Sequence, residues 1–486
     1  MKRLDYAALP GLPEAIQRPP RTAPPRLGIV HFGPGAFHRA HQASYVDTLL
    51  DHDPRWGIAA VALRSAETIE ALAAQQGLYT IAVRDAASSN RVVGAHGAWL
   101  GPDDGDATAA LLGDPAIALV TTTVTEKGYC LAADGTLDLD HRDIVHDLRA
   151  GGHPRSVIGW IVAGLAARRD RGIAPFVPMP CDNLASNGTK LKAALTAFAV
   201  QRDAALAAWI AGEVRVPCTM VDSITPASNA ALLADVEAAL GRTDGIPVQR
   251  ESFVQWVIED IGPNAGPDLA SAGAIVTSDV AGYERAKLRI LNGAHSTLAY
   301  AGLLRGHASV AEAMADPPLA AFVEALLRTD VAPALPRVAG LDLDAYRAAI
   351  LDRFRNPAIV HRLDQIAQDG SLKLPYRLAD TIDANRQTGR MPALAVAAVA
   401  CWVAFVRDRV RRGNPVIDPA ADALAIAASG ADARAVVDAL IEAGLGLARH
   451  WRDDHALVKA IAVTTQRACD GDWDTILSTQ HWGTED

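Results

Sequence analysis

The residues best suited to proton chemistry lie together in the stretch Glu284-Arg285-Ala286-Lys287-Leu288-Arg289-Ile290-Leu291-Asn292-Gly293-Ala294-His295-Ser296. On a helix, at about 100° per residue, Asn292 and His295 fall about 60° apart on one face, with Lys287 about 80° from His295. A lysine stem is long enough to bring its amine over that face. Glu284 precedes Lys287 by one turn, placed to exchange protons with the amine or to tune it. Gly293 removes a side chain from the same region, which suits close approach by something flat. Polar groups facing a neighbourhood of Leu, Ile and Ala need partners, and a reaction site supplies them.

A second group is Gly33-Pro34-Gly35-Ala36-Phe37-His38, directly after the apolar run Leu27–Phe32. A strand, a GxG turn and a helix let backbone N–H groups approach a pyrophosphate, so Gly33, Gly35, Ala36 and Phe37 are candidate cofactor residues. The pattern departs from GxGxxG, because His38 stands where a third glycine would allow close helix–strand packing. The next β-like run, residues 57–63, ends without the acid that would take ribose hydroxyls; Arg64, Ser65, Ala66 and Glu67 follow. Arg64 can accept a 2′-phosphate and Glu67 is a ribose candidate, so NAD is expected with NADP left open. His38 and His41, at i and i+3, with Asp47 further on, offer a zinc alternative. A third ligand of known spacing is missing, and no metal is expected.

These residues need elements to hold them. Residues 78–83, 91–93, 116–125 and 176–179 read as further strands, residues 154–171 as a helix, and the alternation argues for a doubly wound, largely parallel sheet. From about Tyr283 the texture changes. Ala, Leu and Arg dominate, and 283–305, 309–328, 343–355, 391–412, 418–428 and 431–449 read as helices parted by Gly, Pro or Asp. The expected fold is α/β plus α: a proline-punctuated arm over 1–26, a Rossmann-like dinucleotide-binding domain over 27–280, and a mainly helical substrate and catalytic domain over 281–486. The active site is expected in the cleft between the domains.

Composition narrows the function classes. The 486 residues are 50% hydrophobic and 21% charged, which excludes wholesale disorder and suits two or more buried cores. A net charge of −10 gives no basic footprint for nucleic acid. Cys130, Cys181, Cys218, Cys401 and Cys469 are scattered without a CxxC pair, which fits a reducing compartment. The N-terminus lacks the apolar core of a signal peptide, and the uncharged run 391–406 is shorter than the roughly 20 residues a membrane span needs. A cytoplasmic protein without a membrane partner is expected.

GPGAFHRAHQ, TVTEKGYC, CDN, TMVDSITP and KLRILNGAHS, in this order, closely resemble the polyol-specific long-chain dehydrogenases. The resemblance runs from about residue 26 to beyond 400, and the KxxxxNxxH core is its most specific element. It implies zinc-independent hydride transfer between NAD(P) and a sugar-derived secondary alcohol. By that similarity Lys287 is the general acid/base, Asn292 and Asn183 hydrogen-bond the reacting oxygen, and His295 orients the substrate. Asp222 and Lys373 match positions that contact the polyol chain, and Glu284 matches a carboxylate that relays protons to water. Mannitol-type members carry an arginine at the position of Gln365. The uronate reductases look more like this sequence there and in TEKGYC, with Lys127. The implied substrate is therefore a keto sugar acid, fructuronate giving mannonate, with mannitol/fructose or arabinitol chemistry as the alternative. Its carboxylate calls for a cation such as Lys127, Lys373 or Arg377.

The chemistry is coherent on physical grounds. Amide donors stabilise a developing alkoxide, each worth about 3–4 kcal/mol in favourable cases, and a lysine tuned toward neutrality passes the proton. A non-catalytic dinucleotide-binding protein would keep the glycine turn without needing Lys287, Asn292, His295 and Asn183 together. Both a monomer and a small homo-oligomer fit.

Overall fold

Short aliphatic and β-branched runs bounded by Gly, Pro and Asp become strands in the first half of the chain, and Ala/Leu-rich runs become helices in the second. The structure, a computed structural model, describes residues 2–85, 87–149, 151–262 and 266–478. The chain divides into two compact units, Met1–Val280 and Ala281–Asp486.

The strands of the first unit are β1 (Leu27–Phe32), β2 (Gly57–Val61), β3 (Tyr79–Val83), β4 (Ser89–Val93), β5 (His96–Leu100), β6 (Leu119–Thr122), β7 (Val177–Pro180), β8 (Thr219–Asp222), β9 (Val248–Arg250), β10 (Gln255–Glu259) and β11 (Ile275–Thr277). Five of them form a parallel sheet in the order β5-β2-β1-β6-β7, with Phe32 level with Val61 on one side and Thr122 on the other. Val30, Phe32, Val61 and Val120 point into one core with Ile158, Ile161 and Leu165. Ile29, Ile58, Ala60 and Leu119 point into another with Val46 and Leu49. Burial on both faces is what a parallel sheet requires, and it explains the near-continuous apolar strands. The strand order reverses at β1, so the crevice beyond the carboxyl ends of β1 and β6 is where a ligand of such a sheet binds.

Two small sheets flank it, β11-β10-β8 and β4-β3-β9. The segment expected as an arm packs against the second. Asp5 caps the 3₁₀ turn Tyr6–Gly11 by accepting from Ala8 N at 2.8 Å, and Leu4, Tyr6, Leu9, Leu12 and Ile16 share a core with Leu78, Val92 and Val236. Its prolines keep the chain extended while its leucines hold it down.

The second unit is helical. Helix Ala393–Arg411, which contains most of the long uncharged run, is buried continuously from Leu394 to Ala404. Its alanines allow the close packing against helices Gly293–Leu304 and His455–Asp470. Among the described residues no helix is long and apolar enough to cross a membrane. The five cysteines form no disulfide.

Burial of titratable groups gives the fold a pH dependence. His31, His38 and His96 have no solvent exposure. Burial pushes His31 and His96 down to about 3 and holds His38 well below the ordinary imidazole value. In the unfolded chain the same rings take up protons below about pH 6.5. Their contribution to stability is thus complete above about pH 6.5 and declines as pH falls toward about 3. Urea unfolding midpoints should drop between about pH 7 and about pH 5, before carboxylates titrate. A midpoint constant over that interval would contradict the neutral, buried assignment.

Candidate active site

The glycine turn begins where β1 ends. Gly33 has φ +89°, and a Cβ there would lie 2.2 Å from the Thr123 carbonyl oxygen, so only glycine fits. Gly35 N donates to Gly33 O at 2.7 Å, and Gly35 opens the short helix Ala36–Ala40, whose first-turn N–H groups have no side-chain cap. The turn is fixed from beneath by His31 in β1, whose Nδ1 meets Thr121 Oγ1 at 2.7 Å and whose Nε2 meets Gly33 O at 3.2 Å. A ring that donates to the carbonyl accepts from the hydroxyl. His38 does the packing that a third glycine would otherwise permit: its ring stacks on His31 with centroids 3.4 Å apart, and its Nε2 faces His96 Nε2 at 3.1 Å.

Gly33, Pro34, Gly35, Leu63, Arg64, Ser65, Thr125, Gly128 and Asp143 line one cleft of about 330 Å³. Arg64 is exposed at its mouth and lies 3.3 Å from the Asp143 carboxylate. Phe37 does not face this cleft: its ring stacks on His41 at 5.0 Å, so its contribution there is confined to the backbone. Glu67 is exposed at the start of helix Glu67–Ala74. The zinc alternative does not assemble. His41 Nε2 meets Gln255 O at 2.9 Å, while the Asp47 carboxylate is held by Arg21, by Arg91 at 2.8 Å and by Gly94 N at 3.0 Å. A different trio, Cys130, His141 and Asp143, is drawn together instead, with its carboxylate engaged by Arg64.

Asn183 is exposed in the turn after β7. Two residues not anticipated as functional hold that turn. Tyr129, from TEKGYC, donates its hydroxyl to the Asp182 carboxylate and meets Thr122 Oγ1 at 2.6 Å. Buried Asn187 donates from Nδ2 to Asp182 O at 3.2 Å and to Thr219 O at 3.0 Å, while its Oδ1 accepts from Thr219 N at 2.9 Å. The last pair ties the Asn183 turn to β8, which ends in buried Asp222. Lys127, between the cleft-lining Thr125 and Gly128, lines a neighbouring hollow with Asp134, Leu184 and Lys190. The sequence carried a signal for Tyr129 in its motif, but none separated Asn187 from an ordinary helix-start asparagine.

In the second unit, helix Val280–Ala286 runs into a π-helical turn, Lys287–Asn292, and continues as helix Gly293–Leu304. A uniform α-helix would leave Lys287 and Asn292 about 140° apart. Hydrogen bonds running i→i+5 narrow that angle, giving residues of this spacing the neighbouring relation that i and i+4 have on an α-helix, and such bulges recur at functional sites. Lys287, Asn292 and Glu284 are partly buried, and His295 is 8% exposed. Gly293 is approached by protein rather than left open: a Cβ there would lie 3.0 Å from the carbonyl oxygen of Arg377. His295 packs on Phe354 at 4.5 Å and His361 at 5.1 Å between centroids, and its Nε2 has no partner among the described residues. Burial, reinforced by His361, Arg353 and Arg377, holds its pKa well below the ordinary value, so the ring is neutral. Lys373 turns back on its own segment, donating to Gln368 O at 2.8 Å and lying 3.3 Å from the Asp369 carboxylate. Gln365 is exposed on helix Leu363–Ile366.

Two family models cover nearly the whole chain: the mannitol dehydrogenase Rossmann domain over residues 27–270 and the mannitol dehydrogenase C-terminal domain over residues 279–469. The chain belongs to the mannitol dehydrogenase family. It is therefore a dehydrogenase acting on a CH–OH carbon. D-mannonate oxidoreductase of Escherichia coli (strain K12) is 42% identical over 401 residues, 80% of this chain and 82% of that protein. Among solved structures, a D-sorbitol dehydrogenase in substrate-free form matches with a TM-score of 0.92 at 32% identity, covering 98% of this chain and 100% of that one. Pseudomonas fluorescens mannitol 2-dehydrogenase, in a ternary complex with NAD and D-mannitol, matches at 0.80 and 34%, covering 98% of each chain.

The Arg64–Asp143 pair gives a cofactor prediction for this family member. With its guanidinium engaged by a carboxylate in the same cleft, Arg64 is neutralised against a 2′-phosphate, and Asp143 adds repulsion. Asp143→Asn should raise the NADPH-to-NADH ratio of kcat/KM by about 10-fold, roughly 1.4 kcal/mol. Steady-state kinetics with both cofactors check this, and an unchanged ratio rejects the assignment.

Proposed function

We propose that this chain is an NAD-dependent oxidoreductase interconverting a keto sugar acid and its hydroxy acid, D-fructuronate and D-mannonate, with Lys287 carrying the proton. The observation that carries the reading is the π-turn Lys287–Asn292, which aligns an amine and an amide of this spacing on one helical run. The 42% identity to D-mannonate oxidoreductase supports the acid substrate, as does Gln365 at the position that resembles the uronate reductases.

The first unit fits a dinucleotide. Gly33 tolerates no side chain, and a Cβ at Gly35 would meet nothing closer than Gly33 O at 3.9 Å, which leaves that face of the turn open to a ligand's phosphates. The backbone of Gly33, Gly35, Ala36 and Phe37 would hold the pyrophosphate, with Arg64 toward the ribose. When bound, the nicotinamide supplies or accepts the hydride.

The chain's own residues do the rest. In reduction, the Lys287 ammonium gives its proton to the ketone oxygen as the carbon becomes CH–OH; in oxidation, the amine takes the hydroxyl proton. Asn292 donates an amide N–H to that oxygen, and Asn183 is assigned the same role, each donor worth about 3–4 kcal/mol where well aligned. Glu284, one turn before Lys287, passes the proton to and from water. His295, as a neutral imidazole, orients a substrate hydroxyl. Asp222, Lys373, Lys127 and Gln365 are assigned to the rest of the sugar chain. Ammonium and amide donors supply the electrophilic help that zinc gives in other alcohol dehydrogenases, so no step calls for a metal.

Lys287→Ala should lower kcat by about 10²–10⁴-fold while leaving the NADH dissociation constant within about twofold. Fructuronate should exceed fructose, tagaturonate and xylulose as acceptor in kcat/KM, and overnight dialysis against a chelator should leave the rate unchanged. A fructose kcat/KM above that for fructuronate would assign the mannitol-type reaction instead. Gln365→Arg should shift the preference away from the acid.

A further inference from the structure

We propose that Arg377 is the residue that binds the substrate's carboxylate, through the Nε edge of its guanidinium, beside His295. The assignment rests on the keto sugar acid reading above and names the group that makes that reading selective.

Arg377 is a largely buried cation left without a counter-ion. Its side chain makes one hydrogen bond among the described residues, Nη1 to Ser296 Oγ at 3.0 Å, and its Nε is buried with no acceptor. No described carboxylate lies within ion-pair distance of it. Several other cations of this unit are paired: Arg305 with Asp316 at 2.6 Å, Arg386 with Asp454 at 2.8 Å, Lys373 with Asp369 at 3.3 Å and Arg289 with Asp380 at 3.7 Å. Buried Arg407 also lacks a carboxylate among the described residues, but it donates to Ala431 O at 3.2 Å, away from Asn292 and His295 in the chain. A guanidinium does not escape burial by losing its proton, so an unpaired one is costly unless an anion completes it. Burial lowers the pKa of Arg377, the direction expected of an uncompensated charge.

The geometry selects both the partner and the residue. Nη1 is engaged by Ser296, which leaves the Nε/Nη2 edge, and that edge matches the two oxygens of a carboxylate. The backbone of Arg377 lies against Gly293, between Asn292 and His295, and its side chain reaches Ser296 on the same helix. From Asn292 to Ser296 the helix rises about 6 Å. In fructuronate, three hydroxyl-bearing carbons separate the ketone carbon from the carboxyl carbon, a span of about 5 Å across four bonds. With Asn292 on the ketone oxygen, the acid end therefore falls at the level of Ser296 and Arg377. The unpartnered, buried Nε2 of His295 stands at the same level, suited to an intervening hydroxyl or a carboxylate oxygen. The other candidate cations serve less well. Lys373 is neutralised by Asp369, and Lys127 lines a separate hollow in the first unit with Lys190 and Asp134.

The test compares full-length wild type, Arg377→Gln, Arg377→Lys and Ser296→Ala. It measures kcat/KM for fructuronate and for fructose at saturating NADH, together with NADH affinity by fluorescence. Arg377→Gln should lower the acid-to-ketose ratio of kcat/KM by about 100-fold, chiefly through KM for the acid. Arg377→Lys, which keeps the charge but not the fork, should lower it by about 10-fold. Ser296→Ala, which releases Nη1, should lower it by roughly threefold to fivefold and decides the matter if the arginine variants do not fold. Equal losses on acid and ketose, or a loss confined to NADH affinity, would overturn the assignment. If wild type reduces fructuronate well and the variants leave the ratio unchanged, only this inference fails. If wild type prefers fructose, the substrate reading and this inference fail together.

Discussion

The candidate site of the second unit is shaped by one departure from α-helical geometry. Lys287 and Asn292 stand at a spacing that an α-helix would splay to about 140°, and the π-helical turn narrows that divergence. An inserted turn of this kind breaks regular hydrogen bonding, so neighbours must hold it. Here the absence of a side chain at Gly293 admits the backbone of Arg377 to contact distance, and the segment Pro375–Ala379 that carries it is itself π-helical. Two irregular turns thus support each other. The π-turn that draws Lys287 toward Asn292 and the approach of Arg377 to the same helix meet at one contact, at Gly293.

The first unit meets a parallel constraint with different means. A glycine turn at the switch point of a parallel sheet must be stiff, because a pyrophosphate is recognised by backbone groups in fixed positions. The stiffness comes from a buried histidine, His31, which bridges Thr121 of β6 and the carbonyl of Gly33. His38 stacks on it, and His96 meets His38. Burial keeps these rings neutral, which lets His31 donate at one nitrogen and accept at the other, while His38 and His96 meet through Nε2. The cofactor turn is therefore supported by a polar network within a hydrophobic core, an arrangement that holds its geometry only while every ring stays uncharged.

Electrostatics divide labour across the chain. Along the glycine cleft a guanidinium and a carboxylate, Arg64 and Asp143, offset each other. In the second unit His295 is kept neutral by burial and by cationic neighbours, and Arg377, bonded to Ser296, has no carboxylate partner among the described residues. A neutral imidazole next to a cation without a carboxylate is the electrostatic basis of the proposed acid substrate.

The sequence by itself determined the fold class and the family, because strand-length aliphatic runs, a GxG turn and the KxxxxNxxH motif are local patterns readable residue by residue. It named Lys287, Asn292 and His295 as candidates for the same reason, and Asn183 and Asp222 through the family resemblance. It could not supply the π-turn, since an even 100° per residue is the only geometry a spacing argument has and the turn departs from it. Nor did it reveal that the proline-rich segment over residues 2–26 is packed against a sheet, that Asn187 and Tyr129 brace the Asn183 turn, or that Phe37 is turned into the protein. Those depend on contacts between residues far apart in the chain. The same holds for charge: Lys127, Lys373 and Arg377 are equivalent cations on paper. Tertiary structure alone decided that Lys373 is answered by Asp369 while Arg377 is largely buried with no acid partner among the described residues, because pairing and desolvation exist only once the chain has folded.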